Sequence, residues 1–323
     1  MAFLKDIDYA TAVARVKVHE TQLLSDSDID RLIGAKTIDE AAALLNEKGY
    51  SSQGAPIEQL FDNQLENMWA FIREIAPDFS EFHFLLVKND FHNLKAVLKG
   101  AVTGKSYENI CLYPTITPIE TLKAAIDEQR WSLLPEYMQK TAVQAYDDFV
   151  STLDGQLSDI CIDKGSINAT VQLSKDNKDS FIKDLGELIA ATYSLRIAVR
   201  CSKLQMSREF VLDALPDCQS IDKSALASSA AAAGLDELCE YIAKTKYSKA
   251  ADELANGIAA FEKWCDNALV NYVSKAKYLS FTAAPLAAYI IKKEAELKCV
   301  RIVISGKRTG LTDSQIKSRI RAV

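Results

Sequence analysis

Apolar residues recur at helical spacing through most of the 323-residue chain. Over 6–24, Ile7, Ala10, Val13, Ala14, Val16 and Val18 form a broad face, with Arg15, Lys17 and Glu20 among the polar positions, which predicts a helix buried on one side. Ser25-Asp26-Ser27-Asp28 offers side-chain caps for a short second helix, and Thr37 with Glu40 forms a capping box for a third. Residues 25–50 therefore read as a helical hairpin. Leu60, Phe61, Leu65, Met68 and Trp69 predict a long helix within 56–75, and another follows Pro77-Asp78 over 79–98, with Gly100 as its C-terminal cap. Gly104, Pro114 and Pro118 mark 100–118 as a linker. Beyond it the pattern gives helices over 119–128, from Pro135 to about 157, and one ending near 203. After Leu215-Pro216-Asp217 a second clear hairpin occupies 223–247, followed by a long segment over 250–276. Pro285 then opens a helix that ends at Gly306. Thr312-Asp313 caps a terminal helix over 314–321, where Lys317, Arg319 and Arg321 suit the negative end of the helix dipole. No convincing stretch has strand period; Ile302-Val303-Ile304 is β-prone but closes a helical pattern. The fold class is all-α.

One pattern recurs about every 100 residues. Asn93-Leu94-Lys95-Ala96-Val97-Leu98-Lys99-Gly100 is echoed by Ser194-Leu195-Arg196-Ile197-Ala198-Val199-Arg200-Cys201 and by Cys299-Val300-Arg301-Ile302-Val303-Ile304-Ser305-Gly306. A second echo links Ile38-Asp39-Glu40-Ala41, followed by Tyr50, with Leu235-Asp236-Glu237-Leu238, followed by Tyr247. Solenoid repeats recur every ~20–50 residues, so a period this long points to duplicated domains. The expected division is 1–107, 108–210 and 211–323, with the middle third the least regular.

Composition narrows the function. Hydrophobic residues make up 48% and charged residues 25%, enough to build real cores, while only 12 glycines and 7 prolines interrupt the helices. A formal net charge of −6 argues against nucleic acid as partner, because phosphate neutralisation needs a basic face. The seven cysteines are scattered without a CxxC pair and read as reduced core residues. The first residues lack a secretory pattern. The longest apolar stretch, 281–291, contains Pro285 and is closed by Lys292-Lys293-Glu294; it reads as a buried helix start rather than a membrane span.

Candidate chemistry is thin. Asp26, Asp28 and Asp30 imitate the start of a calcium loop, but Arg31 stands where the turn needs glycine and Thr37 where it needs glutamate, so helix capping is the better account. Gly306-Lys307-Arg308-Thr309 resembles the end of a phosphate loop, yet Arg301 occupies the position of its first glycine. His83 and His92 project to opposite faces of one helix, and His19 lies far away in sequence, so no metal pair forms. Carboxylates stand mostly three or four residues from lysines, as Glu294 does from Lys298, the usual solvated face. No nucleophile, base, metal or cofactor set emerges. Lys95, Arg196 and Arg301 are different, because they recur at equivalent positions. The conservative account is that each binds a carbonyl or carboxylate within its own domain. The functional one is a ring of positive charge around a central opening, suited to an acidic or helix-end partner.

Taken in order, Tyr9-Ala10-Thr11-Ala12-Val13-Ala14-Arg15-Val16, the hairpin from Leu23-Leu24 to Leu44-Leu45, Phe84-Leu85-Leu86-Val87-Lys88-Asn89-Asp90-Phe91-His92-Asn93-Leu94-Lys95, and the ending with Tyr289-Ile290, Lys293-Glu294-Ala295-Glu296, Arg301-Ile302 and Gly306-Lys307 resemble the C subunit of bacterial and archaeal V/A-type ATPases, whose eukaryotic counterpart is the d subunit. The resemblance spans nearly the whole chain and is weakest around Ser174-Lys175-Asp176-Asn177-Lys178. It implies a funnel of three similar helical domains around a pseudo-threefold axis. It also implies a non-catalytic rotor component on the cytoplasmic face, without its own membrane span, that receives the central-shaft subunits and sits on the proteolipid rotor ring. The competing readings are a soluble helical adaptor and, more remotely, a helical enzyme with a site of dispersed carboxylates.

Overall fold

The computed structural model describes residues 2–50, 57–152 and 155–323. Among them every regular element is helical: α1 (Ala2–Glu20), α2 (Asp26–Gly34), α3 (Ile38–Glu47), α4 (Ile57–Ile75), α5 (His83–Thr103), α6 (Ile119–Asp127), α7 (Glu136–Thr152), α8 (Gly155–Lys175), α9 (Ser180–Lys203), α10 (Arg208–Ala214), α11 (Lys223–Ala230), α12 (Asp236–Ala243), α13 (Ser248–Ala255), α14 (Ile258–Val273), α15 (Ala284–Arg308) and α16 (Asp313–Arg319), joined by short 3-10 turns. The all-α expectation holds. The chain forms two compact units, one from residues 1–79 with 253–323 and one from 80–252.

In the discontinuous unit α15 is the spine. Its run from Ala284 to Ile291 is buried on all sides, as an uninterrupted apolar helix must be, and it packs on α1, α2, α3, α4, α14 and α16. Ile29, Leu32, Ile33, Leu45, Tyr50 and Phe61 meet Leu297, Val300, Val303 and Ile304 in one core, so the first hairpin of the chain is sealed by its last long helix. Burial of each such large side chain stabilises by ~1.5–3 kcal/mol. Pro285 stands in the first turn of α15, where its missing N–H costs nothing.

In the continuous unit α5 packs on α6, α7 and α8, and α8 on α7 and α9. Val87, Phe91, Leu94, Val97 and Leu98 of α5 join Leu122 and Ile126 of α6, Met138 and Phe149 of α7, and Ile162 of α8. Small residues permit the tightest approach. A Cβ on Gly165 would overlap the Thr141 side chain, and one on Gly186 would overlap Ser174. Along α5 and α8, Lys95 reaches Asp163 at 2.5 Å and Lys99 reaches Asp159 at 2.7 Å, an antiparallel ladder of ion pairs.

Several boundaries differ from those the sequence predicts. Gly100 and Gly306 do not end their helices. α5 runs on to a left-handed cap at Gly104 (φ 69°) and α15 to Arg308. Both glycines are small because something lies against them: a Cβ at Gly100 would overlap the Tyr107 ring, and one at Gly306 would sit 2.6 Å from Ile316 Cγ1. Of the helix expected from Pro135 to about 157, residues 136–152 form α7 and residues 155–157 belong to α8. The long segment 250–276 holds most of α13 and all of α14, parted at Gly257 with φ 111°. Residues 174–178 turn the chain from α8 into α9, where Asn177 accepts from the Asp179 N–H and Asp179 caps Phe181. Their polarity is that of a capped connection. The Ser25 capping box is present, with Asp28 as its reciprocal partner. At Thr37 only half the expected box forms, since the Glu40 carboxylate accepts from the Lys36 N–H instead.

Candidate functional site

Each of the three long helices bearing the repeat carries a carboxylate that accepts N–H groups from the strip of chain leading into a helical hairpin. On α5, Asp90 is fully buried and accepts from Ile116 N at 2.9 Å and Thr117 N at 2.7 Å, just before α6. On α9, Glu187 accepts from Ser220 N at 2.7 Å and from Cys218 Sγ at 3.1 Å, just before α11. On α15, Glu296 is 1% exposed and accepts from Leu24 N at 2.5 Å, just before α2. A tyrosine beyond each hairpin start completes the arrangement. The Tyr50 hydroxyl donates to Glu296, Tyr247 shares a 2.8 Å hydrogen bond with the Ser220 hydroxyl, and Tyr137 lies beside Asp90 and Thr117.

Each clamp joins segments that are distant in sequence within one compact unit. The hairpin in the second third of the sequence docks on α5 of the first, that of the last third on α9 of the second, and that of the first third on α15 of the last. The sequence echo between Tyr50 and Tyr247 thus falls at two clamps, Tyr50 on the carboxylate itself and Tyr247 on the hydroxyl of Ser220, whose N–H binds the carboxylate.

Electrostatics vary among them. Burial pushes the Asp90 carboxyl up in spite of its two amide donors. Burial acts the same way on Glu187, but its hydrogen bonds from Cys218, Ser220 and the Gln219 backbone outweigh it and leave the carboxyl below the usual range. Around Glu296, the Lys293 ammonium lies 2.6 Å from the carboxylate and 4.5 Å over the Tyr50 ring. Burial, then the Glu296 charge, drives the Tyr50 phenol far above its ordinary value. Glu296 and Lys293 thus leave the solvated face expected for lysine-spaced carboxylates and form a buried pair. Lys298 pairs with Asp266 of α14 at 2.6 Å, a partner that four-residue spacing from Glu294 does not reveal.

The basic residues singled out in sequence occupy three settings. Lys95 is half-buried and held by Asp163, itself half exposed. Arg196 is half-buried on α9. Arg301 is exposed, its guanidinium 4.8 Å over the Phe61 ring. Lys95 and Arg196 both belong to helices that flank α8. Lys307 of the Gly306-Lys307-Arg308-Thr309 run donates to the Ile33 carbonyl at 2.5 Å and also to that of Ala35, which ties α15 to the end of α2. His19 stacks on Phe71 with 3.7 Å between centroids, and His92 is 2.8 Å from the Ile110 carbonyl. Among the described residues no three His, Cys, Asp or Glu side chains gather as metal ligands.

The sequence reads 100–118 as a plain linker, yet α5 holds it rigidly. Asn93 brackets Leu112 through both N–H and carbonyl at 2.8 and 2.9 Å, Asn89 donates to the Pro114 carbonyl at 3.0 Å, and Asp90 holds its end. The fixed loop presents Ile110, Leu112 and Tyr113 to solvent. A preformed apolar projection can dock a partner without the entropy cost of ordering a loop. The signal in the sequence is Asn89, Asp90 and Asn93 within an apolar helical run, since polar residues buried in a helix need partners from elsewhere.

The sequence matches the model of a family described as ATP synthase (C/AC39) subunit over residues 12–319. The chain belongs to that family. It is 23% identical over 322 residues to the C subunit of the V-type sodium ATPase of Enterococcus hirae, covering 95% of this chain and 96% of that protein. It is 25% identical over 350 aligned residues to the C subunit of the A-type ATP synthase of Haloquadratum walsbyi, with 96% of each covered. Against the corresponding A-type ATP synthase protein of Methanocaldococcus jannaschii the identity is 22%, covering 96% of this chain and 85% of that one. The matched range includes the residues of all three clamps.

Proposed function

We propose that this chain is a non-catalytic central-stalk component of a V/A-type rotary ATPase, linking the central-shaft subunits to the proteolipid rotor ring on the cytoplasmic face of the membrane. It works there by transmitting torque for ATP-driven proton or sodium transport, or for ATP synthesis. The observation that carries the reading is membership of the C/AC39 family along nearly the full chain. The physical organisation agrees with the task. A torque coupling must be stiff, and close-packed helices locked by buried clamps resist internal shear. Among the described residues no helix is long and apolar enough to cross a membrane.

Within this reading the thirds 1–107, 108–210 and 211–323 are the duplicated domains of a funnel about a pseudo-threefold axis, and Lys95, Arg196 and Arg301 are its candidate shaft-binding residues. The Lys95–Asp163 pair is compatible with that role, because an ion pair with a half-exposed partner is worth only ~0–1 kcal/mol and exchanges readily for another acid.

Affinity purification of the tagged chain from detergent-solubilised native membranes, followed by mass spectrometry, tests the assignment. Recovery of a small proteolipid with soluble shaft subunits is expected. Recovery alone, or with unrelated cytosolic proteins, would replace it with the soluble adaptor. The triple variant Lys95→Glu, Arg196→Glu, Arg301→Glu tests the charged socket: it is expected to weaken shaft binding with helicity unchanged, and unaltered affinity rejects that part alone.

A further inference from the structure

The connection between α14 and α15 combines exposed aromatic rings with lysines. Its 3-10 turn Ser274–Tyr278 exposes Lys275 and Lys277 while burying Ala276 as an anchor. Beyond it Tyr278 and Phe281 are 76% and 59% exposed. The Lys275 ammonium stands 5.3 Å over the Tyr272 ring and that of Lys277 4.8 Å over Tyr278. The turn is fixed at both ends, by Leu279 N to the Ala276 carbonyl at 2.9 Å and by Ala284 N to the Thr282 hydroxyl at 3.2 Å. Two large aromatic surfaces are thus held out on a structured loop.

Along the chain the local charge is one-sided. Between Asp266 and Glu294 the sequence contains no acidic residue, although the chain as a whole carries −6. Exposed aromatic rings beside lysines suit a boundary at which an apolar phase begins directly under a layer of negative charge. Tyrosine and phenylalanine enter the upper acyl region, while ammonium groups remain with the headgroups. An acidic protein surface would use the lysines but leave Phe281 in water, which makes lipid the better complement.

We propose that the loop carrying Lys275, Lys277, Tyr278 and Phe281 is a membrane-surface contact that binds anionic lipid headgroups and inserts its two aromatic side chains at the interface. The contact needs no membrane-spanning helix, and it does not depend on the rotary assignment, since isolated full-length protein suffices to test it.

The experiment is flotation of the purified full chain with phosphatidylcholine vesicles, with and without about 30 mol% phosphatidylserine, at low and high salt. Binding is expected only with phosphatidylserine and is expected to fall as salt rises, since each basic residue near such a surface contributes about fivefold. Lys275→Gln with Lys277→Gln is expected to reduce partitioning by about tenfold or more. Tyr278→Ser with Phe281→Ser is expected to reduce it at both salt concentrations, with circular dichroism unchanged because these side chains are exposed. Equal partitioning onto neutral and anionic vesicles, or wild-type binding by both double variants, overturns the proposal. So does absence of vesicle binding by the wild-type chain, which would leave the loop to a protein partner.

Discussion

Removing the Glu296 carboxylate is the most searching perturbation of the interlocked repeat. Three donors converge on it: Leu24 N at 2.5 Å, Lys293 Nζ at 2.6 Å and the Tyr50 hydroxyl. Glu296→Ala leaves a buried ammonium without its counterion, a loss of ~3–5 kcal/mol. It also strands the Leu24 N–H, at ~1–3 kcal/mol if no water enters. Relaxation and hydration of the space absorb part of this, so the expected destabilisation is about 4 kcal/mol, a large share of a total stability of ~5–15 kcal/mol. Glu296→Gln keeps the volume and one acceptor and is expected to cost about 2–3 kcal/mol. Adding Lys293→Met to Glu296→Gln removes the orphaned charge and should recover at least ~1 kcal/mol, a coupling that a double-mutant cycle reads directly. The assay is native-state hydrogen exchange. Amides of Leu24 and of α2 should exchange about a thousandfold faster in Glu296→Ala, while those of α5 to α8 stay protected. A cost below about 1 kcal/mol, or protection lost evenly over the chain, would refute the clamp as the element joining hairpin to helix.

Other outcomes follow from the same structure. Gly306→Ala forces a Cβ against Ile316 and should displace α16, costing about 1–3 kcal/mol by urea denaturation, while Gly306→Ala/Ile316→Ala should lose less than the sum of the two single variants. Asn93→Ala removes both hydrogen bonds on Leu112 and should raise exchange across 104–118 by at least tenfold, with α5 itself unchanged. The Asp28 carboxyl is held at about 2, first by the hydrogen bond from Ser25 and then by Lys48. A folded-state value below the unfolded one stabilises above the unfolded value and is lost as pH falls. Wild type should therefore lose about 1 kcal/mol between pH ~4 and ~2, after allowance for solvent screening, and Asp28→Asn should lack that increment.

Helix content, the caps at Ser25 and Thr312, the buried start of α15 and the motif that recurs three times were all legible in the sequence, because each depends on residues within a few turns of one another. Glu296 was not, since Lys293-Glu294-Ala295-Glu296 has the same local pattern on a solvated helix as on a buried one. The spacing of Gly100 and Gly306 likewise fits a helix cap or a packing contact equally well, and only Tyr107 and Ile316 decide between them.

The sequence by itself determined that this protein is helical and carries one motif three times. Tertiary structure decided which hairpin closes which helix. Leu24 and Glu296 stand 272 residues apart, and no local propensity encodes a buried carboxylate's need for an N–H donor that distant in the chain.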